Sequence, residues 1–265
     1  MKYAVNCSLL FTELPLLDRP AAAKAAGFEA VEFWWPWSVA EPSPDELAAF
    51  RSAIRDAGVQ LIGLNFFAGD MPAGDRGLVS WIARRDEFRA NVPVALALGR
   101  ELGCRAFNAL YGTRQPDEDP QAQDECAVAN LAFAAELAAE FGAVVLVEPV
   151  SGSPAYPLKT AADVAAVIER VRRTYGCENL RFLCDLYHLA TNGDDVAAVC
   201  RERAADAGHC QIADAPGRGE PGTGNLPLEQ LLADLFEHGY DGWVALEYKP
   251  TVPSAQSFGH LPALR

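Results

Sequence analysis

The sequence predicts a (β/α)8 barrel, on three observations. Eight short runs of β-branched and aliphatic residues recur along the 265 residues, alternating with Ala/Glu/Arg-rich helical segments. A glycine closes each helical segment: Gly27, Gly58, Gly103, Gly142, Gly176, Gly208 and Gly239. Glycine is the usual residue just past a helix, because it takes left-handed backbone at little cost. The third observation is the run Val144-Val145-Leu146-Val147, apolar throughout and ending in Glu148-Pro149. So short an uninterrupted run suits a strand covered on both faces, as in a parallel sheet. A doubly wound open sheet is the alternative arrangement of the same units. Eight units in about 250 residues favour closure into a barrel.

The first strand, Tyr3–Ser8, precedes any helix. The other seven each follow one of the glycines: Phe28–Phe33, Val59–Asn65, Arg105–Ala109, Ala143–Glu148, Leu180–Asp185, His209–Ala213 and Gly242–Glu247. The chain after Lys249 is short and carries Pro250 and Pro253, so the eighth helix is predicted to be stunted or absent. No break in composition divides the chain, and one domain over residues 1–265 is expected. Two long segments, Phe66 to Arg84 and Pro216 to Asn225, follow the third and seventh strands. They fall on the catalytic face of a barrel, where long loops serve as functional lids.

A formal net charge of −14 repels phosphate backbones and anionic lipid, which argues against nucleic-acid and membrane partners. It still permits a small anionic substrate held by one local cation. The seven cysteines form no C-x-x-C pair and fall largely in apolar runs, as expected of reduced, buried thiols. With no leader-like or membrane-length stretch, a cytoplasmic protein is expected. A homo-oligomer is left open.

Four consecutive strands end in oxygen-bearing side chains. The fifth ends at Glu148, the sixth at Asp185, the seventh runs through Gln211 to Asp214, and the eighth ends at Glu247. On one rim of a barrel these groups converge. Three carboxylates cannot share a small volume without a cation, since like charges would force protonation. Hard oxygen donors select Mg²⁺ or Mn²⁺. The expected metal ligands are therefore Glu148, Asp185, Gln211 and Glu247. His188 in Asp185-Leu186-Tyr187-His188 is a candidate donor to a substrate oxygen, against the plainer reading of a capping or packed histidine. Arg218 could hold a carboxylate with its planar fork, and Lys249 could neutralise the same anion. Asn65, ending the third strand, is a further substrate-binding candidate. Gly217-Arg218-Gly219-Glu220-Pro221-Gly222 matches G-x-G-x-x-G, but the loop and Pro221 are wrong for a strand-to-helix turn. The cluster Trp34-Trp35-Pro36-Trp37 is read equally as a pocket wall or a subunit interface.

Together these residues resemble the hydroxypyruvate isomerase family of xylose-isomerase-like barrels. The resemblance spans almost the whole chain. It rests on Asn6-Cys7-Ser8, Phe11-Thr12-Glu13, Ala68-Gly69-Asp70, Ala73-Gly74-Asp75-Arg76-Gly77, Val147-Glu148-Pro149, Asp185 to His188, Gln211 to Gly224, and Gly239 to Tyr248. It implies a metal held by Glu148, Asp185, Gln211 and Glu247, with the two glutamates as the acid/base pair. The implied reaction takes a small 2-oxo acid through an enediolate, hydroxypyruvate to tartronate semialdehyde. A branch of the family acts on 2-oxo-tetronates. Two departures border the pocket: Val150-Ser151 stands where Leu-Asn is usual, and Asn108-Ala109-Leu110-Tyr111-Gly112 where His-Val-Met-Ala-Gly is expected. A ketose 3-epimerase, an apurinic endonuclease and a metal-independent binding module are the rival readings.

Overall fold

All eight apolar runs become parallel strands of one closed barrel, in chain order. The computed structural model describes residues 1–261. The strands are β1 Lys2–Asn6, β2 Ala30–Phe33, β3 Gln60–Asn65, β4 Ala106–Asn108, β5 Val144–Val147, β6 Leu180–Asp185, β7 Ala207–Ile212 and β8 Trp243–Leu246. The helices are α1 Arg19–Ala25, α2 Pro44–Ala57, α3 Arg85–Leu102, α4 Pro120–Ala139, α5 Ala161–Tyr175, α6 Leu186–Asn192, α7 Val196–Glu202 and α8 Leu228–Glu237. No α-helix follows β8 among the described residues; the chain there makes a short 3-10 turn at Ser254–Gln256. Phe258 fills the seam instead, its ring 4.8 Å from that of Phe28. No described helix is long and apolar enough to cross a membrane.

Strand alternation sorts side chains between the bore and the helices. Outward residues such as Val5, Val31, Phe107, Val145, Cys210 and Val244 join the main apolar core under the helices. Inward residues one level down form separate small clusters: Ala4, Ala30, Ile62 and Ala245, and Ala106, Leu146 and Leu183. Two residues further along most of those strands come Asn6, Glu32, Asn108, Glu148, Asp185 and Glu247, all buried. The bore is thus an apolar plug with a polar rim. Register pairs Asn6 with Glu32 and Asp185 with Gln211, levelling that rim.

Local sequence sets the helix ends. Ser43 caps α2 in a capping box with Glu46, and Thr160 caps α5 with Asp163. Gly58, Gly103 and Gly176 take left-handed backbone past α2, α3 and α5, as predicted. Gly208 departs from the prediction. It lies inside β7, and the helical segment before it is two short helices, the first closed by Gly193. Its glycine identity answers to packing: a Cβ there would sit 2.5 Å from Arg181 Cβ and 2.9 Å from Leu146 Cδ2. Gly208→Ala is expected to cost about 1–3 kcal/mol by overpacking, read as a lower thermal midpoint. All seven cysteines are free, six of them buried and Cys126 partly so.

Candidate active site

The strand-terminal carboxylates meet. Glu148, Asp185, His188 and Glu247 each offer a donor atom, and these atoms lie within 4.8 Å of one another, all buried. Glu148 follows the last residue of β5, where Pro149 ends the ladder, and Glu247 follows β8. Asp185 ends β6 and also caps α6, its Oδ1 accepting the His188 backbone N–H at 2.9 Å. Gln211 lies in β7 beside them, paired in register with Asp185 and Ala245.

Burial dominates the electrostatics here. It raises Glu148 well above the usual carboxylate range, with help from the charges of Glu247 and Asp185. It pushes Asp185 up to about 6 and Glu247 up to about 7, while Arg218 pulls both down. With all three ionised, the carboxylates facing one guanidinium would leave two negative charges, the charge that one divalent cation offsets. Gln211 supplies a second sign. Its Nε2 donates to Glu32 Oε1 at 2.7 Å and to Glu247 Oε1 at 3.3 Å, while its Oε1 is buried with no partner. A buried unsatisfied acceptor is costly unless something occupies it. The cluster can hold a divalent cation through hard oxygens.

His188 belongs to a different role from the carboxylates. The Ser151 backbone N–H donates to its Nδ1 at 3.0 Å, so Nδ1 is an acceptor. Burial holds the ring neutral, its pKa far below the usual value. The ring proton therefore sits on Nε2, 3.7 Å from both Glu148 Oε1 and Asp185 Oδ2. A protonated Nε2 donates a hydrogen bond and cannot ligate a metal.

A cavity of about 490 Å³ opens above this floor. Arg218, Lys249 and Asn65 all line it. Arg218 is delivered by the loop after β7 with a left-handed backbone, φ 60°. Its Nη2 donates to Glu247 Oε2, its Nε to the Glu247 carbonyl at 3.3 Å, and its guanidinium lies 5.4 Å from the Tyr187 ring centre. Asp214 is turned away from the cluster and braces that loop, accepting the N–H groups of Ala215, Gly222 and Leu226. Lys249 is exposed at the mouth, its backbone N–H bonded to the Arg218 carbonyl at 2.7 Å. The tryptophan cluster divides. Trp34 is a pocket wall, its Nε1 donating to Glu247 Oε1 at 2.7 Å. Trp35 and Trp37 stack edge-on with each other and Trp37 with Phe50. Polar contacts brace the segment Phe66 to Arg84. Arg84 pairs with Asp75 at 2.8 Å, and Asn91 accepts the Phe67 N–H at 2.8 Å. It presents Arg76 to the cavity, with Nη1 already donating to the carbonyls of Met71 and Asp75.

Known proteins share this chain's sequence pattern and fold. The xylose isomerase-like TIM barrel family matches residues 20–264. A Streptomyces coelicolor protein provisionally named hydroxypyruvate isomerase is 57% identical, over 99% of this chain and 96% of its own. The chain belongs to the hydroxypyruvate isomerase family. A 2-oxo-tetronate isomerase of Cupriavidus necator is 34% identical, with 98% of this chain and 97% of its own covered. The crystal structure of a family 2 AP endonuclease from Brucella melitensis superposes with a TM-score of 0.87 at 30% identity, covering 97% of this chain and 96% of that one.

In this hydroxypyruvate isomerase-family enzyme, the two departures from the family pattern both support the rim. Ser151 holds His188, its Oγ 2.7 Å from Nδ1. Asn108 donates to Glu148 Oε2 at 2.7 Å. Sequence reasoning missed Asn6, Glu32, His209 and Arg76. A carboxylate between Val31 and Phe33 is as anomalous as one at a strand end, and that signal was available. Nothing in the spacing links Glu32 to His209, 177 residues apart.

Proposed function

We propose that this isomerase interconverts hydroxypyruvate and tartronate semialdehyde with a divalent cation, Mg²⁺ or Mn²⁺, at the rim. One observation carries the reading: a buried triad of carboxylates, with the unpartnered Gln211 oxygen in the neighbouring strand, opens through Glu148 and Glu247 into a cavity lined by Arg76, Arg218 and Lys249. Glu148, Asp185, Gln211 and Glu247 would hold the cation. When bound it would supply Lewis-acid polarisation of neighbouring carbonyl and hydroxyl oxygens. Isomerisation removes a proton from C3 and leaves the electron pair in an enediolate; a proton then returns to C2, and the oxygens exchange one proton between them. Glu148 suits the removal, since its Oε1 has no donor nearer than His188 Nε2 at 3.7 Å. Glu247 is tethered through Oε1 to Trp34, Asn6 and Gln211, and through Oε2 to Arg218. It, or Glu148 again, returns the proton. His188 Nε2–H would donate to a substrate oxygen.

The carboxylate goes to the opposite wall. Arg218 gives its Nε–H and one Nη2–H to Glu247, so its other three N–H donors, with Arg76 and Lys249, would take the anion. Arg76→Ala is expected to raise KM for the 2-oxo acid roughly 10–100-fold, the worth of a charged hydrogen bond, and to change kcat little. The 34% identity to a 2-oxo-tetronate isomerase favours a four-carbon 2-oxo-tetronate as the second reading. An excess of 36 acidic over 22 basic residues disfavours a polyanionic DNA substrate. The test is a turnover screen of the purified protein, with Mn²⁺ added, against hydroxypyruvate, 2-oxo-tetronates and several ketoses. Turnover of 2-oxo acids, abolished by EDTA and restored by Mn²⁺ or Mg²⁺, is expected. Turnover of neutral ketoses alone would overturn the assignment in favour of an epimerase.

A further inference from the structure

Beneath the cavity floor lies a buried polar group that the proposed chemistry leaves unused. Glu32, in mid-strand of β2, is 3% exposed and pairs with His209 of β7, itself 4% exposed, through a 2.5 Å contact between Oε2 and Nε2. Neither residue lines the cavity, and neither reaches solvent. Two carboxamides bridge Glu32 to the site. Asn6 Nδ2 donates to Glu32 Oε1 at 2.9 Å and to Glu247 Oε1 at 3.1 Å. Gln211 Nε2 donates to the same two oxygens, at 2.7 and 3.3 Å. Both protons of each –NH₂ group are thereby used, and each amide has one permitted orientation. A flipped Gln211 would set its carbonyl oxygen against two carboxylate oxygens. The neighbouring strand is shaped to the same purpose: at Gly63 of β3 an added Cβ would come within 3.0 Å of Glu32 Oε2 and 3.2 Å of Glu32 Cβ.

We infer that Glu32, locked by His209, is a positioning residue that fixes the Gln211 amide so that its oxygen is offered to the cation. The inference rests on the cation reading above. An amide is a weak and reversible ligand, since turning it end for end exchanges an acceptor for a donor. A carboxylate behind it removes that freedom. Groups that orient a metal ligand change affinity about 10–100-fold when lost.

The test is Mn²⁺ affinity of the cation-stripped protein, measured by electron paramagnetic resonance, with no turnover involved. Glu32→Gln keeps the shape and permits a flipped Gln211, and should weaken Mn²⁺ binding about 10–100-fold. Gln211→Ala removes the amide. In that background Glu32→Gln should change affinity by less than about threefold, because the residue it acts through is gone. Glu32→Asp withdraws the acceptor but keeps the charge opposite His209, and carries the same comparison if Glu32→Gln does not fold. Equal losses with and without the Gln211 amide would show a merely structural Glu32 and overturn the inference. So would unchanged affinity in both Glu32 variants. Absence of Mn²⁺ binding by the unsubstituted protein would overturn the cation reading itself, an outcome readily told from the other two.

Discussion

Glu148→Gln is expected to lower turnover of the 2-oxo acid by about 10³-fold or more, while the protein stays folded. A positioned general base contributes about 10²–10⁴-fold, and Glu148 would also lose its place as a cation ligand. Stability should move the other way. The carboxylate is buried against Asp185 and Glu247, and burial and like charge together raise its pKa. Removing one charge relieves that repulsion, so the thermal midpoint of the cation-free variant should equal or exceed that of the unsubstituted protein. Glu247→Gln should behave differently. It leaves the part-buried Arg218 guanidinium without its closest partner. Breaking a buried pair from one side costs about 3–5 kcal/mol, reduced here because Asp185 and Glu148 also face Arg218. Turnover and thermal midpoint should therefore both fall. Steady-state kinetics beside calorimetry separate the two cases. A Glu148→Gln variant retaining most of its turnover would remove that residue from the mechanism.

Gly77→Ala is expected to be the most damaging small substitution in the loop that carries Arg76. The backbone there has φ 114°, a region open to glycine. An added Cβ would sit 2.0 Å from the Leu110 carbonyl oxygen. Gly112 repeats the contact from the other side, its Cβ falling 2.8 Å from the Gly77 carbonyl oxygen. Two backbone segments thus touch directly, and neither has a flexible side chain to give way. Strain and clash together should cost about 3 kcal/mol or more, a drop of roughly 6–12 °C in the thermal midpoint for a chain of this size. KM should also rise, because Arg76 is the adjoining residue. Gly74→Ala is the control. Its φ is 113° with nothing within 4 Å of an added Cβ, so only the conformational strain applies. Equal midpoints for the two variants would show that the Leu110 contact yields.

The barrel and the four rim donors were legible because both follow from short-range patterns. Glu148, Asp185 and Glu247 each end an apolar run, and a charge at that point has no packing reason to be there. Gln211 stood out less and was raised by the family resemblance; its unpartnered oxygen is visible only in three dimensions. Period-two alternation, applied to β2, would have placed Glu32 in the bore with Ala30. That step fails without knowing that its partner is His209, which the chain reaches only after four more strands. Gly208 was misread because a glycine between a helical segment and a strand looks the same whether it ends the helix or makes room for Arg181. The contacts that brace the loop from Phe66 to Arg84 were hidden for the same reason: Asn91 and Arg84 sit in or beside α3 and carry no local sign of that task.

The proposed cation donors stand on strands or directly at their ends, whereas Arg76, Arg218 and Lys249, proposed for recognition, stand on the connecting segments. On that proposal, chemistry and recognition occupy separable parts of the chain. Exchanging residues 66–84 between relatives should redirect which acid is accepted and spare the proton-transfer apparatus, whereas residues 215–226 carry Arg218, which also holds Glu247. A lineage can in this way shift its substrate by editing a connector and leaving the rim carboxylates in place.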